Sequence, residues 1–210
     1  MQLLNKRTEG SFMVDSTGSK FERYQEYGRH KSTKGPFDAP VFVAQPNRLS
    51  GDFGTDIDIP TKVPAYVHLA IEELQCFEVL ENQFSHWGVT FNNAIALIPS
   101  NPSFVLAPDS VVIMGAPKSG LIELNFKYPV SLVSGSVTSS RRTVLSAFDK
   151  EGNLITQSEI PAANLVGSNY APISDTHLTV TAPQIYQASF YAFDGQLVIN
   201  NLSFGFSTYQ

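Results

Sequence analysis

Cysteine is nearly absent from this chain: Cys76 is the only one among 210 residues, so no disulfide can form within it. Because Cys76 sits in an apolar run, we expect it to behave as a small buried hydrophobe. No stretch approaches the ~20 apolar residues of a membrane-spanning helix. The apolar patch in the first ten residues is too short for the core of a signal peptide. The sequence therefore predicts a soluble protein that is not exported as written, although an exported protein with its signal removed would look the same.

Charge is also sparse, since Asp, Glu, Lys and Arg make up only 16% of the sequence. The net charge of −5 argues against a duplex nucleic acid as partner. Residues 1–48 carry +3 and the remaining residues −8, which indicates a modestly basic head on an acidic body.

Common catalytic motifs are missing as well. There is no Gly-x-Ser-x-Gly elbow, no phosphate-cradling glycine loop and no recognisable Cys–His nucleophile motif. The four histidines, His30, His68, His86 and His177, lack the spacing of metal ligands. The missing motifs make a common hydrolase or a nucleotide-dependent enzyme a less favoured hypothesis. They leave open whether the protein is catalytic.

What the sequence does contain is aromatic and strand-forming. It has 15 Phe and 8 Tyr, and the 42% apolar content is enough for a substantial core. Residues 121–128 alternate apolar and polar side chains, as in an antiparallel strand with one face exposed to solvent. Residues 130–154 read as a strand, a polar loop, a strand, a tight turn at 149–152 and the start of a third strand. We therefore predict an all-β fold, an antiparallel jelly-roll β-sandwich with an irregular N-terminal extension.

The pattern also predicts the organisation of the chain. We expect an extension over residues 1–64, with one plausible strand at 40–44, and a β-sandwich domain over residues 65–210. Residues 65–80 fit either helical or strand spacing. Residues 88–91 and 94–97 fit a strand pair or one bent strand. Asp194-Gly195 predicts a hairpin turn joining the last two strands.

Several short motifs, in order, resemble those of a known family. They are Phe77-Glu78, the run Trp87–Phe91, the strand Ile122–Phe126, the run Leu145–Asp149 before Gly152-Asn153, and the closing run Val198–Phe204. Together they resemble bacterial galactose-binding-like, jelly-roll β-sandwich domains, which are similar to carbohydrate-binding modules. Such domains occur in exported bacterial proteins, including those with a PEP-CTERM sorting tail, which is missing from this sequence.

The resemblance implies a structural calcium ion and no other cofactor. Glu78 matches an early acidic ligand, whereas Asn200 stands where related modules carry a closing acidic residue. Calcium prefers several oxygens with some carboxylate charge, so Asn200 weakens the site. Alternation along residues 198–206 predicts that the Asn200 amide points into the core. There it needs a partner, either a cation or a loop that it pins by hydrogen bonds.

Five residues are candidates for ligand binding: Trp87, His86, Arg141, Arg142 and Tyr170. Trp87 and Tyr170 offer flat rings on which sugars stack, and His86 adjoins Trp87. Arg141 and Arg142, flanked by hydroxyls, suit a carboxylate, a sulfate or an acidic surface. The alternatives are that Trp87 plugs the core beside Phe91, that His86 is a surface or half-buried histidine, and that the arginines keep a loop solvated.

The function that we expect is a non-catalytic binding module that recognises a glycan or a protein surface through its end loops. One alternative is a cofactor-free cyclase or isomerase on a calcium-stabilised carbohydrate-module fold, with Glu78 or Asp149 steering a cation. Another is a self-assembling structural subunit, a homo-oligomer formed through sheet edges or the basic N-terminal arm.

Overall fold

The computed structural model describes residues 41–47, 65–104, 109–115, 120–167 and 176–206. Within these ranges the chain forms eleven β-strands and three 3₁₀ turns, and no helix is long and apolar enough to span a membrane. The strands are β1 (Val41–Ala44), β2 (Ala65–Leu69), β3 (Val79–Leu80), β4 (Val89–Asn92), β5 (Ala94–Leu97), β6 (Val112–Gly115), β7 (Leu121–Ser139), β8 (Thr143–Phe148), β9 (Leu154–Ile160), β10 (Thr176–Ala192) and β11 (Leu197–Phe206). The turns are Ile71–Glu73, Ser85–Trp87 and Pro102–Phe104. The predicted all-β class is confirmed.

Strand β7 is the longest element, and it folds back on itself. Nineteen residues of straight strand would span about 60 Å. Both ends of β7 nevertheless meet the same short connection: Gly120 lies directly against Gly195, and the Ser140 amide donates to the Gln196 carbonyl at 2.9 Å. The strand therefore reverses near its middle, where Pro129 follows two exposed residues.

Strand β10 follows β7 around this bend and shifts register between Thr181 and Gln187. The bend divides the ladder into two layers. Sheet A contains β9, β8, the second half of β10, the first half of β7, and β4. Sheet B contains the first half of β10, the second half of β7, and β11, with β2 and β6 both paired to β11. Among the strands that the structure describes, every pair is antiparallel except β1 with β2.

The core lies between the two sheets. Alternate residues of each strand point inward, and the fully buried Phe190 of sheet A packs so closely on Gly135 of sheet B that a Cβ there would lie 3.0 Å from the ring. Phe126 and Phe204 meet across the interior with ring centroids 5.4 Å apart. Because both sheets bury one face against the other, the architecture is a sandwich made from a folded ladder.

Two connections join the sheets at the open end, opposite the bend. Residues 140–142 carry β7 of sheet B into β8 of sheet A, and residues 193–196 carry β10 of sheet A into β11 of sheet B. The hairpin predicted at Asp194-Gly195 is therefore wrong. The turn exists, with Asp194 at φ 51°, but β7 lies between β10 and β11 in the ladder.

The structure resolves three other sequence patterns. Residues 65–80 form β2 and a 3₁₀ turn, which settles the ambiguity in favour of a strand. Strands β4 and β5 are separate and pair with different neighbours, because Asn93 between them adopts φ 57°. Cys76 is exposed, so its predicted burial is wrong. It precedes Phe77, whose backbone turns at φ 68° and leaves the ring 75% exposed.

The strand predicted at residues 40–44 is present as β1, which pairs in parallel with β2. The domain boundary after residue 64 stays a prediction. His30 and Tyr170 lie outside the described residues.

Candidate functional site

A groove of about 400 Å³ opens on the outer face of sheet A, next to the open end. Its lining combines aromatic, aliphatic, hydroxyl, amide and guanidinium groups, contributed by Leu121, Arg142, Val144, Ser146, Gln157, Ser189, Tyr191 and Phe193.

Strand alternation explains why these side chains share one face. In β10, Ala188, Phe190 and Ala192 are buried in the core, so Ser189 and Tyr191 point outward. The register then aligns two rows across the sheet. One row runs Gln157, Ser146, Ser189 and Glu123, and the other runs Glu159, Val144, Tyr191 and Leu121.

The two connections at the open end supply the rest of the lining. They run side by side, because the Gln196 amide donates to Ser140 Oγ at 2.9 Å and the Phe193 amide donates to the Arg142 carbonyl at 3.2 Å. Arg141 covers Gly195, where a Cβ would lie 2.6 Å from Arg141 Cγ. Only glycine fits beneath Arg141 without displacing it.

Arg142, Tyr191 and Phe193 form one aromatic and cationic cluster. The Tyr191 and Phe193 rings have centroids 4.6 Å apart at 58°, and the Arg142 guanidinium lies 4.8 Å from the centre of the Phe193 ring. Arg142 Nε also donates to Glu159 Oε2 at 3.0 Å, and its Nη2 donates to the same oxygen. The guanidinium is therefore held in place and its charge is compensated.

Hydroxyl and amide groups lie beside this cluster. Ser146 is buried at the floor, and Gln157 Nε2 donates to its Oγ at 3.1 Å. Ser189 lies next to Ser146 in the same row, and Glu123 comes next across the sheet. The groove thus places polar hydrogen-bonding groups next to an exposed aromatic surface, which suits a ligand with an apolar face and a polar edge.

Of the predicted ligand-binding residues that the structure describes, only Arg142 lines the groove. Arg141 is exposed but packs over Gly195 on the outside of the connection. Trp87 lies elsewhere, in the turn Ser85–Trp87, where it packs against the core and against Phe42 with ring centroids 6.3 Å apart. This placement agrees with a packing role for Trp87.

His86 is half-buried beside Trp87. Its Nδ1 is buried with no hydrogen-bond partner. Desolvation lowers the pKa of His86 below the usual 6.5, and a backbone hydrogen bond with Gln45 opposes this only in part. Neutral imidazole is therefore the favoured form, and it lies against the segment that follows β1.

The predicted calcium ligands lie on strands that are not neighbours. Glu78 precedes β3, and its two oxygens accept hydrogen bonds from the Gln75 amide and Gln83 Nε2, each at 2.9 Å. Asn200 sits in β11, which is separated from β3 by two strands, β5 and β6, in the ladder. In the described part of the chain, no three His, Cys, Asp or Glu side chains are grouped to hold a metal. The calcium ion stays a prediction.

The orientation predicted for Asn200 is wrong, because β11 shifts register between Ile199 and Asn201. Val198 and Ile199 are both buried and Asn200 is half-exposed, so alternation fails at this bulge. The amide that pins a loop is instead Asn164. It is buried, accepts from the Ser139 amide at 2.7 Å and donates to the Val137 carbonyl at 2.7 Å.

Asp149, the second acid considered for catalysis, organises the turn between β8 and β9. Its carboxylate accepts hydrogen bonds from the amides of Glu151 and Asn153 and from the Asn153 side chain. The Asn153 side chain makes the largest contribution to lowering the pKa of Asp149, and the Asn153 amide adds to it. Asp149 therefore stabilises a turn in this structure.

No protein-family model matches the sequence, and no curated protein matches it. The similar solved structures include a family 29 carbohydrate-binding module, with 11% identity over 56% of this chain and 80% of that one and a TM-score of 0.33. The CBM22-1 xylan-binding domain of Paenibacillus barcinonensis Xyn10C has 13% identity over 64% of this chain and 93% of that one, with a TM-score of 0.34.

A third similar structure is TmCBM61 in complex with β-1,4-galactotriose, with 10% identity over 62% of this chain and 86% of that one and a TM-score of 0.30. The chain is thus similar to carbohydrate-binding modules, the class that its motifs resemble. At TM-scores this low, the ligands of those proteins do not carry over to this chain. The PEP-CTERM association stays a prediction.

Proposed function

We propose that this chain is a non-catalytic carbohydrate-binding module whose ligand lies in the groove of sheet A. The observation that supports this most is the Tyr191–Phe193 pair, which exposes aromatic surface beside the hydroxyl and amide groups of Ser146, Ser189 and Gln157. A sugar ring presents apolar C–H groups on its face and hydroxyl groups around its edge. An aromatic surface bordered by hydrogen-bonding groups complements both parts at once.

The charges of the groove favour a neutral sugar. Arg142 is already paired with Glu159, and its guanidinium also lies against the Phe193 ring. A carboxylate or sulfate on the ligand would have to compete with Glu159, while Glu123 in the next row would repel it. Neutral hydroxyls can instead share the remaining donors of Arg142 without breaking the ion pair.

The proposed binding site lies at the junction of loops and sheet, whereas the sequence predicts a site in the end loops alone. Arg142 and Phe193 come from the two connections, and the other lining residues come from strands. The cyclase-type and self-assembly alternatives stay predictions.

Retention of the full chain in native gels that contain xylan, glucomannan or galactan tests this proposal. We expect at least one polysaccharide to retard the protein. Tyr191→Ala should weaken that binding about tenfold, because it removes a stacking surface. Tyr128→Ala is the matched control, since Tyr128 is 44% exposed but lies at the bend. Equal retardation of both variants and the parent chain would place the ligand outside the groove.

A further inference from the structure

The outer face of sheet B carries a second ordered set of side chains, which we call the ladder face. Strand register aligns them in three rows that cross β10, β7, β11 and β2. The rows are His177, Ser136 and Asn201; then Thr179, Ser134, Ser203 and His68; then Thr181, Leu132, Gly205 and Tyr66.

Hydrogen bonds between strands hold these side chains in position. Ser134 and Thr179 hydroxyls lie 2.8 Å apart, Ser203 Oγ lies 3.0 Å from His68 Nδ1, and Ser136 Oγ lies 3.2 Å from His177 Nδ1. Each pair bridges two neighbouring strands, so the polar groups form a fixed array. A preorganised array loses less side-chain entropy when a ligand binds than mobile side chains do.

An aromatic ring lies at one side of the array. Tyr66 leans across its partner Gly205, where a Cβ would lie 3.0 Å from Tyr66 Cε1. Glycine at this position lets the half-buried ring lie low on the sheet next to the hydroxyl row. The ladder face thus repeats the combination found in the groove, an aromatic ring beside hydrogen-bonding groups, on the opposite side of the sandwich.

Charge and area together indicate which partner suits this face. None of the ladder-face residues named above is Lys, Arg, Asp or Glu, so a neutral ligand need not displace an ion pair to bind. The face is five strands wide, if β1 with its exposed Val41 and Val43 is included, and about five residues long. Its sheet area is therefore roughly 400 Å². A second copy seated on this face would bury about 800 Å² in total, below the ~1,200 Å² of a stable interface.

We infer that the ladder face is a second binding site for a neutral carbohydrate chain, so that one molecule binds sugar on both sides of the sandwich. The inference extends the proposed function, but it depends on different residues. Two opposed sites allow one protein to bridge two polysaccharide chains, or to bind a polysaccharide matrix with higher avidity than either site gives alone.

The experiment compares six full-length proteins in native gels that contain xylan, glucomannan or galactan. Four are the parent chain, the groove variant Tyr191→Ala/Phe193→Ala, the ladder variant Thr179→Glu, and the control Gln184→Glu, which adds the same charge at the exposed bend. The other two add Thr179→Glu or Gln184→Glu to the groove variant. Circular dichroism melts verify that each variant is folded. We expect the groove variant to retain binding about tenfold weaker than the parent. Adding Thr179→Glu to it should abolish that remainder, and adding Gln184→Glu should not.

The outcomes separate the two sites. Complete loss of binding in the groove variant would overturn the ladder site and leave the groove intact as a proposal. Unchanged binding in the groove variant, with loss in Thr179→Glu, would support the ladder site and overturn the groove. Sedimentation of the parent chain as a dimer that Thr179→Glu dissociates would assign the face to a second copy and overturn the inference. Failure of every protein to be retarded would overturn both sites.

Discussion

The outer face of sheet A gathers Arg142, Glu159 and Glu123 around an aromatic groove, whereas the rows of the ladder face of sheet B carry hydroxyl, imidazole and amide groups and contain no Lys, Arg, Asp or Glu. Both faces are built from the same two folded strands, β7 and β10. The difference arises from what happens at the open end, where two inter-sheet connections add Arg142 and Phe193 to sheet A only. A shared core can therefore support two surfaces with separate chemistry.

The largest effect should come from removing the contact that both faces share. Phe190→Ala empties a fully buried site between the sheets, so we expect the free energy of unfolding to fall by about 3–5 kcal/mol. Urea denaturation measures this loss, and both faces should lose binding together. Phe193→Ala, the same change at a 42% exposed position, is the control and should leave stability nearly unchanged. A small effect of Phe190→Ala would mean that the sheets are not held by this contact.

A smaller loss of stability, confined to the open end, should follow from a change at Asn164. Asn164→Ala leaves the buried Ser139 amide and Val137 carbonyl without their side-chain partner, which should cost about 2 kcal/mol. Hydrogen exchange should become faster in residues 137–142, which lead to the groove, and stay unchanged in β2. Asn92→Ala, at an exposed position, is the control. Equal acceleration in β2 would show that the two ends unfold as one unit.

The third prediction concerns pH, and it tests a region that belongs to neither face. The pKa of His86 is lowered in the folded state, so below about pH 6.5 the unfolded chain binds a proton that the native chain resists. Stability should therefore fall as the pH drops through this range and level off below the native pKa. In His86→Phe this part of the pH dependence should vanish, as measured by melting temperature between pH 7.5 and 5.

The control for this experiment is His177→Gln, which removes an exposed histidine from the ladder face. It should keep the acid-dependent loss of stability that the parent chain shows. Identical pH profiles for His86→Phe and the parent would contradict the assignment of this loss to His86.

The smallest effect should come from the ion pair in the groove. Arg142 and Glu159 side chains are 49% and 47% exposed, so Glu159→Gln should change the unfolding free energy by less than about 1 kcal/mol. Sugar binding in the groove should change little if the ligand is neutral, and the ladder face should not respond. Stronger retention of the parent chain by an acidic polysaccharide such as pectate than by the neutral polysaccharides would contradict the neutral ligand proposed for the groove.

The sequence predicts the class of fold better than it predicts the site. Alternation and the turn at 149–152 are local signals. The turn is confirmed, and the alternation predicted for residues 121–128 holds through Phe126 but is wrong at Tyr128, which is 44% exposed beside the bend. The pairing of strands is not local: the Asp194-Gly195 turn looks like a hairpin turn, but β7 lies between the strands that it joins. Nothing in the sequence around that turn reports the presence of β7.

The groove illustrates the same limit. Arg142 was among the candidates because paired arginines stand out in a sequence, whereas Tyr191 and Phe193 look like ordinary strand residues. The available signal was that Tyr191 alternates with the apolar residues 190 and 192, which predicts an outward ring. That Tyr191 and Arg142 line the same groove depends on the register of β8 with β10 and on the side-by-side course of the two connections. Both arise from long-range packing.

The most direct test of the groove as the sugar-binding site is to map backbone amide shifts by ¹⁵N NMR while titrating oligosaccharides of xylan, glucomannan and galactan. We expect the first and largest shifts to fall in residues 142–146 and 189–193. Largest shifts in residues 85–87 or at the bend near residue 129, with residues 189–193 unmoved, would contradict the assignment of the groove as the sugar-binding site.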